Sequence, residues 1–206
     1  MSEVLIQRIR ERLDPVGRVP GLPAMGDAVI SGDHLDPPQD LVPAAVLVPL
    51  LWQGSEPHLL FTERAAHLKK HAGQISFPGG RIEPNGESPA EAAVRELEEE
   101  IGIASSHVEL LGQSDVYQTG TGFSVTPIVA RLHDGYDLTP DPGEVADVFT
   151  APFAFFMDPR NHRRQSAMWK GRMRHFYAMP WQDRNVWGAT AGMIKVLHQR
   201  LYERAA

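Results

Sequence analysis

The chain has 206 residues, 42% of them apolar and 22% charged, with a net charge of −6. That is enough for one well-filled globular domain and short for two, and the acidic balance argues against broad binding to nucleic-acid backbone or anionic membrane. The absence of cysteine excludes a disulfide framework, a thiolate nucleophile and a Cys-zinc site and fits a cytoplasmic protein; the sequence shows no signal-like apolar core and no run of bilayer length.

Leu5, Ile9 and Leu13 recur every four residues among charges, which predicts a short amphipathic helix ended by Asp14-Pro15. Residues 15–42 are rich in Pro, Gly and Asp and have no period. Residues 1–42 therefore read as a helix and connector arm, a candidate surface for a homodimer, ahead of a main domain at 43–206. Ala44–Trp52 is a mostly apolar run with β-branched residues and reads as a buried strand, in which Pro49 hints at an edge or a bulge. After a Gln53-Gly54-Ser55 turn, His58–Arg64 reads as a second strand, and Gln74–Phe77 as a short one that runs into Gly79-Gly80.

Ser88-Pro89 with Glu91 three residues after the serine is an N-cap, first-turn proline and capping box. Ala90, Val94, Leu97 and Ile101 then repeat at helical intervals up to a natural stop at Gly102. Strands are predicted at Val108–Leu111 and Val125–Leu132, a strand leading into a short helix over Val148–Asp158, and a hairpin over Ser166–Trp181 turning at Lys170-Gly171. Ala189–Glu203 has helical spacing at Met193, Val196, Leu197 and Leu201. Strands mixed with helices at this size make a layered α/β domain.

The densest chemistry is PGGRIEPNGESPAEAAVRELEEEIGI, Pro78 to Ile103. On a helix, Glu96, Glu99 and Glu100 stand at i, i+3 and i+4, so their carboxylates share one face while the apolar positions point to a core. Like charges at that spacing disfavour a helix by roughly tenths of a kcal/mol per pair, and a divalent cation is the simplest compensation. Gly79-Gly80 lets backbone approach the same place. Glu87 and Arg95 are placed to brace the loop against the helix. A run of acids alone is usually a solvated helix face, and a double glycine alone is usually a turn.

The ordered conjunction of Gly80, Glu87, Arg95-Glu96, Glu99-Glu100 and Gly102 resembles the signature box of the Nudix hydrolases, which cleave nucleoside diphosphates linked to another group. The second half fits throughout; six residues rather than five separate Gly80 from Glu87. The resemblance implies an α/β/α sandwich with a mixed β-sheet. It also implies Mg²⁺ or Mn²⁺ held by Glu96, Glu99 and Glu100 with the Gly79 carbonyl, catalysis through Glu96 or Glu99, and Glu87 and Arg95 as supports.

Upstream, LFTERAAHLKKHAGQISFPGG (Leu60 to Gly80) resembles the motif that precedes the box in the coenzyme A pyrophosphatases of this family, as does the longer spacing. Lys69 stands where that motif has Arg, and a lysine lacks the bidentate fork for phosphate. The resemblance implies coenzyme A as substrate, with Arg64, Lys69, Phe77 and Gly80 contacting it. His67 and Lys70 read as surface charges. Glu144, in DPGEVAD, is an outside candidate for the general base whose plainer reading is a solvated loop acid. The same fold acting on ADP-ribose or NADH, and a nucleotide-binding module without catalysis, are the competing expectations.

Overall fold

The computed structural model describes residues 2–18, 25–32, 40–68, 71–169 and 171–203. In chain order these form α1 (Ser2–Arg12), β1 (Met25–Gly26), α2 (Asp27–Ser31), β2 (Val42–Gln53), β3 (Glu56–Arg64), β4 (Ile75–Ser76) and β5 (Gly79–Arg81). There follow α3 (Pro89–Ile101), β6 (Val108–Gln113), β7 (Tyr117–Gln118), β8 (Phe123–Leu132), β9 (Val145–Pro152) and α4 (Phe153–Phe156). The chain closes with β10 (Arg163–Trp169), β11 (Arg172–Trp181), β12 (Arg184–Trp187) and α5 (Ala189–His198), which runs on as a π-helical turn over Gln199–Glu203.

Alternation along the strands sets the layers. From β2, Ala45, Leu47 and Leu51 join one buried cluster, while Ala44, Val48 and Leu50 join another. β8 divides the same way, with Ile128 and Ala130 on the first face and Val125 and Val129 on the second. The first face is covered by Ala90, Ala92, Ala93, Leu97 and Ile101 of α3. The second is covered by residues of α1, α4 and α5. The result is an α/β/α sandwich around a mixed sheet, nine-stranded among the described residues. Its central strand β2 lies parallel to β8 and antiparallel to β5 and then β3. A smaller antiparallel sheet, β10-β11-β12, stands apart from it.

One local expectation needs correcting. Pro49 lies in this central strand, not at an edge. The Leu47 N–H donates to the Pro78 carbonyl at 2.9 Å, so the nitrogen two residues on faces the same side. There it falls after the last β5 partner, Val46, and before the first β3 partner, Leu50, so its missing N–H leaves no ladder bond open. The predicted stripe in α1 holds: Ile9, and Leu13 just beyond the helix, are buried, Leu5 packs partly buried against the same core, and Ile6 joins them. These residues and Ile30 belong to the same core as the sheet.

The capping box forms: the Glu91 N–H donates to Ser88 Oγ at 3.3 Å, and the Ser88 N–H donates to Glu91 Oε2 at 2.8 Å. Gly102 ends the helix in the left-handed conformation at φ 76°. The predicted hairpin also forms, with Trp169 opposite Arg172. Its third strand, β12, was not predicted from the sequence. It returns from β11 through Gln182-Asp183, where Gln182 carries the positive φ of 53° without the glycine that would announce such a turn.

Candidate active site

The site assembles where the last turn of α3 meets β5 and the loop before β9. A helix leaves its final carbonyls without partners. Here the Thr139 N–H donates to the Ile101 carbonyl and the Asp141 N–H to the Glu100 carbonyl, both at 2.9 Å. The Ala65 N–H then takes the Glu144 carbonyl at 2.8 Å, which ties the loop to the end of β3. These bonds bring Glu144 and Arg64 to the end of the glutamate helix.

Glu100 is 4% exposed, and its Oε2 has no hydrogen-bond partner. Burial, then the charges of Glu96 and Glu144, push its pKa up to about 8, against the opposing pull of Arg64 and the Gly79 N–H. It is the Gly79 N–H that faces Glu100 here. Glu96 lies across Gly80, where an added Cβ would collide with its carboxylate. Its pKa is raised mainly by burial, with Glu99 and Glu144 adding to the rise and Arg95 opposing it. Gly79 is equally confined, since a Cβ there would sit 2.6 Å from Val46 Cα.

Arg95 occupies the position between Glu96 and Glu99 that a bare count of charges assigns to a cation. Its Nη1 donates to Glu96 Oε1 at 2.9 Å and to Glu99 Oε2 at 2.8 Å. Nε and Nη2 donate to the two oxygens of Glu87 at 2.8 and 3.2 Å, and Nη2 also reaches the Arg81 carbonyl. Glu87 in turn accepts from the Glu83 N–H at 2.7 Å, and the bond from Arg95 is the main cause of its lowered pKa. The extra residue before the helix is absorbed in this loop. Asn85 donates to Glu83 and accepts from the Glu87 N–H, and Gly86 takes φ 96°.

The structure thus brings together Glu96, Glu100, Glu144, Arg64 and the Gly79 backbone. Glu99 shares Arg95 Nη1 with Glu96 and has its side chain 60% exposed. Among the described residues no three acidic or histidine side chains are grouped closely enough to hold an ion as they stand. The donor chemistry nonetheless fits one. The side-chain oxygens are carboxylates, the donors that Mg²⁺ and Mn²⁺ favour, and the orphaned Glu100 carboxyl, its pKa raised by burial and by neighbouring carboxylates, would be stabilised as the anion by positive charge.

Beside these groups opens a largely apolar cavity of about 800 Å³. Gly79, Gly80, Arg64 and Phe77 line one side, and side chains of the small sheet line the other. Phe77 is mostly a core ring, 2% exposed and stacked on Phe61 with centroids 5.0 Å apart. His71 lines the cavity and shares a 2.7 Å hydrogen bond with Gln74, while His67 is exposed. Lys69 and Lys70 lie outside the described residues. Sequence reasoning missed Arg81, Trp169 and Arg174, which also line the cavity. Alternation in the Ser166–Trp181 hairpin, which sets Arg174 among aromatics, was the available signal.

The NUDIX domain pattern matches residues 41–180, more than half of the chain, and the chain belongs to that family. It is 37% identical over 158 residues to the protein named Uncharacterized Nudix hydrolase NudL of Photorhabdus laumondii, covering 77% of this chain and 84% of that one. The protein of the same name from Yersinia enterocolitica is 38% identical over 163 residues, covering 77% and 80%. Among solved structures, a C. elegans Ap4A hydrolase in a binary complex superposes with a TM-score of 0.47 at 22% identity, over 54% of this chain and 80% of that chain. The chain is therefore a Nudix hydrolase, of a family that acts on pyrophosphate bonds and generally uses divalent metal ions. Among the described residues no helix is long and apolar enough to cross a membrane.

Proposed function

We propose that this hydrolase cleaves the pyrophosphate of coenzyme A or its derivatives, giving 3′,5′-ADP and 4′-phosphopantetheine or its acyl form. One observation carries the reading. Arg64, Phe77 and Gly80, from the stretch that resembles the coenzyme A pyrophosphatases, line one cavity, and two of them reach the carboxylates: Gly80 lies against the Glu96 carboxylate and the charge of Arg64 acts on Glu100. That cavity lies within the range of pockets that enclose most of a drug-sized ligand, roughly 300–1,000 Å³.

In this reading Glu96, Glu99 and Glu100, with the Gly79 backbone, hold Mg²⁺ or Mn²⁺. The bound cation would polarise a phosphoryl oxygen and lower the pKa of a water. Gly80 leaves room for the diphosphate beside Glu96. Arg64 neutralises a phosphate oxygen, Lys69 adds positive charge, and Phe77 forms an apolar wall. Glu96, Glu99 or Glu144 takes the proton of the attacking water as its oxygen joins one phosphorus; the bridging oxygen leaves with the other phosphorus. Arg95, fixed by Glu87, is a positioning residue that keeps Glu96 and Glu99 in register.

Incubation with coenzyme A and Mg²⁺ or Mn²⁺, with products identified by mass, tests this. The expected products are 3′,5′-ADP and 4′-phosphopantetheine. Preferential turnover of ADP-ribose or NADH would move the substrate elsewhere in the family, and tight binding without product would make the chain a binding module.

A further inference from the structure

Three arginines line the cavity. Arg64, whose charge acts on Glu100, and Arg81, which follows Gly80 in β5, come from the main sheet. On the opposite wall, contributed by the small sheet, stands Arg174. None of the three makes an ion pair with a carboxylate among the described residues, although Arg10, Arg18, Arg95, Arg184 and Arg200 all do.

Arg174 is the most pre-organised of the three. Its guanidinium lies over the Trp169 ring, 4.5 Å from the centroid, across the β10–β11 pair. Its Nη1 rests against Gly120, where an added Cβ would come within 2.8 Å. Its Nε is shielded from solvent and has no hydrogen-bond partner, which leaves a buried donor waiting for an acceptor. A guanidinium stacked on an indole keeps its in-plane N–H groups free and loses little entropy when it binds a planar or tetrahedral anion. The nearby carboxylate, Asp27, is already engaged, accepting from the Tyr117 hydroxyl and from the Gly120 N–H, each at 2.6 Å.

We propose that Arg174, held on Trp169, is a specificity residue that binds a second phosphate of the substrate, a phosphate ester on the nucleoside half remote from the diphosphate. This deepens the coenzyme A reading and rests on it: coenzyme A carries such a group on the ribose 3′ oxygen. Arg64 and Arg81 flank the diphosphate end, and the third guanidinium meets the third phosphate. No bond is made or broken at this subsite.

The test compares coenzyme A with dephospho-coenzyme A, and separately the binding of 3′,5′-ADP with that of 5′-AMP by calorimetry. A charge-assisted phosphate contact is expected to favour the phosphorylated member of each pair by roughly ten- to hundred-fold in the native enzyme. Arg174→Gln should bring both ratios close to one, and Arg174→Lys should retain part of each. Should Arg174→Gln fail to fold in a thermal melt, Arg174→Lys and Trp169→Leu carry the comparison.

Ratios near one in the native enzyme, or ratios unmoved by the variants, overturn the subsite. If coenzyme A is not hydrolysed but 3′,5′-ADP still outbinds 5′-AMP through Arg174, the substrate reading fails and the subsite stands. If coenzyme A is not hydrolysed and 3′,5′-ADP binds no better than 5′-AMP, both fail.

Discussion

Replacing Glu100 by glutamine should make the metal-free protein more stable while it removes the response to divalent metal. The native carboxyl has a pKa near 8 against an ordinary value of 4.5. A group whose folded pKa is raised contributes its full stability below the unfolded pKa and loses it as pH climbs toward the folded value. Between pH 4.5 and 7 each pH unit costs about 1.4 kcal/mol, so ionisation in the unfolded chain opposes folding by on the order of 3 kcal/mol at neutrality. Glutamine keeps the shape of the protonated acid and cannot ionise. Melts in chelator should therefore coincide near pH 4.5 and separate as pH rises to 8, the variant melting several degrees higher at pH 7. Added Mn²⁺ should raise the melting temperature of the native protein and scarcely move that of Glu100→Gln. An equal difference between the two proteins at pH 5 and pH 8, or a variant that melts lower in chelator at pH 7, would refute the claim that this buried carboxyl is held neutral.

Gly80→Ala should force Glu96 off its position and depress metal-dependent turnover at least ten-fold. Its circular dichroism should stay close to native, because the obstacle is a side chain and not the sheet. Arg95→Lys exchanges a planar fork that engages Glu87, Glu96 and Glu99 for a single point charge. It should lower kcat more than it changes KM and cost about 1–2 kcal/mol in denaturant unfolding. Gly102→Ala places a side chain in the left-handed region and against Thr139. It should destabilise by about 1–3 kcal/mol, and the added Thr139→Ala should restore only the steric part.

The glutamate helix was legible because every determinant is local. Ser88, Pro89 and Glu91 start it, Gly102 stops it, and the spacing of Leu97 and Ile101 fixes which face is buried. The layered α/β class followed from the same periodicities. What escaped depends on partners distant in sequence. Glu144 reads as a solvated loop acid and is indeed exposed, yet the bond from Ala65 to its carbonyl and the caps on α3 set its charge beside Glu96 and Glu100. Pro49 looked like an edge signal because the sequence does not reveal that β2 changes neighbours between Val46 and Leu50. The convergence of Glu99 with Glu96 and Glu100 follows from helical spacing alone. That spacing does not count Arg95, whose Nη1 stands between Glu96 and Glu99. Trp169 and Arg174 meet through the register of the β10–β11 hairpin, which alternation hints at but does not fix.

An acidic chain that handles a polyanion must solve an electrostatic problem, and the distribution of pairs shows how this one does. On the surface, Arg10, Arg18, Arg184 and Arg200 are matched with carboxylates and project little net field. Around the cavity the opposite signs are kept apart, with Arg64, Arg81 and Arg174 on its walls and Glu96, Glu100 and Glu144 grouped beside Gly79-Gly80. Such separation stores repulsion on both sides. On the acidic side it appears as the raised pKa values of Glu96 and Glu100, each driven by burial and by neighbouring carboxylates. A phosphate brought to that end alone would deepen the repulsion, because it adds negative charge where a carboxyl already cannot ionise. The two halves become mutually favourable only when positive charge enters between carboxylates and phosphate. The requirements of the fold do not explain Glu100, buried without a partner for Oε2, since an alanine or leucine on that helix face would meet them at lower cost; a divalent cation held there, as proposed, would explain it.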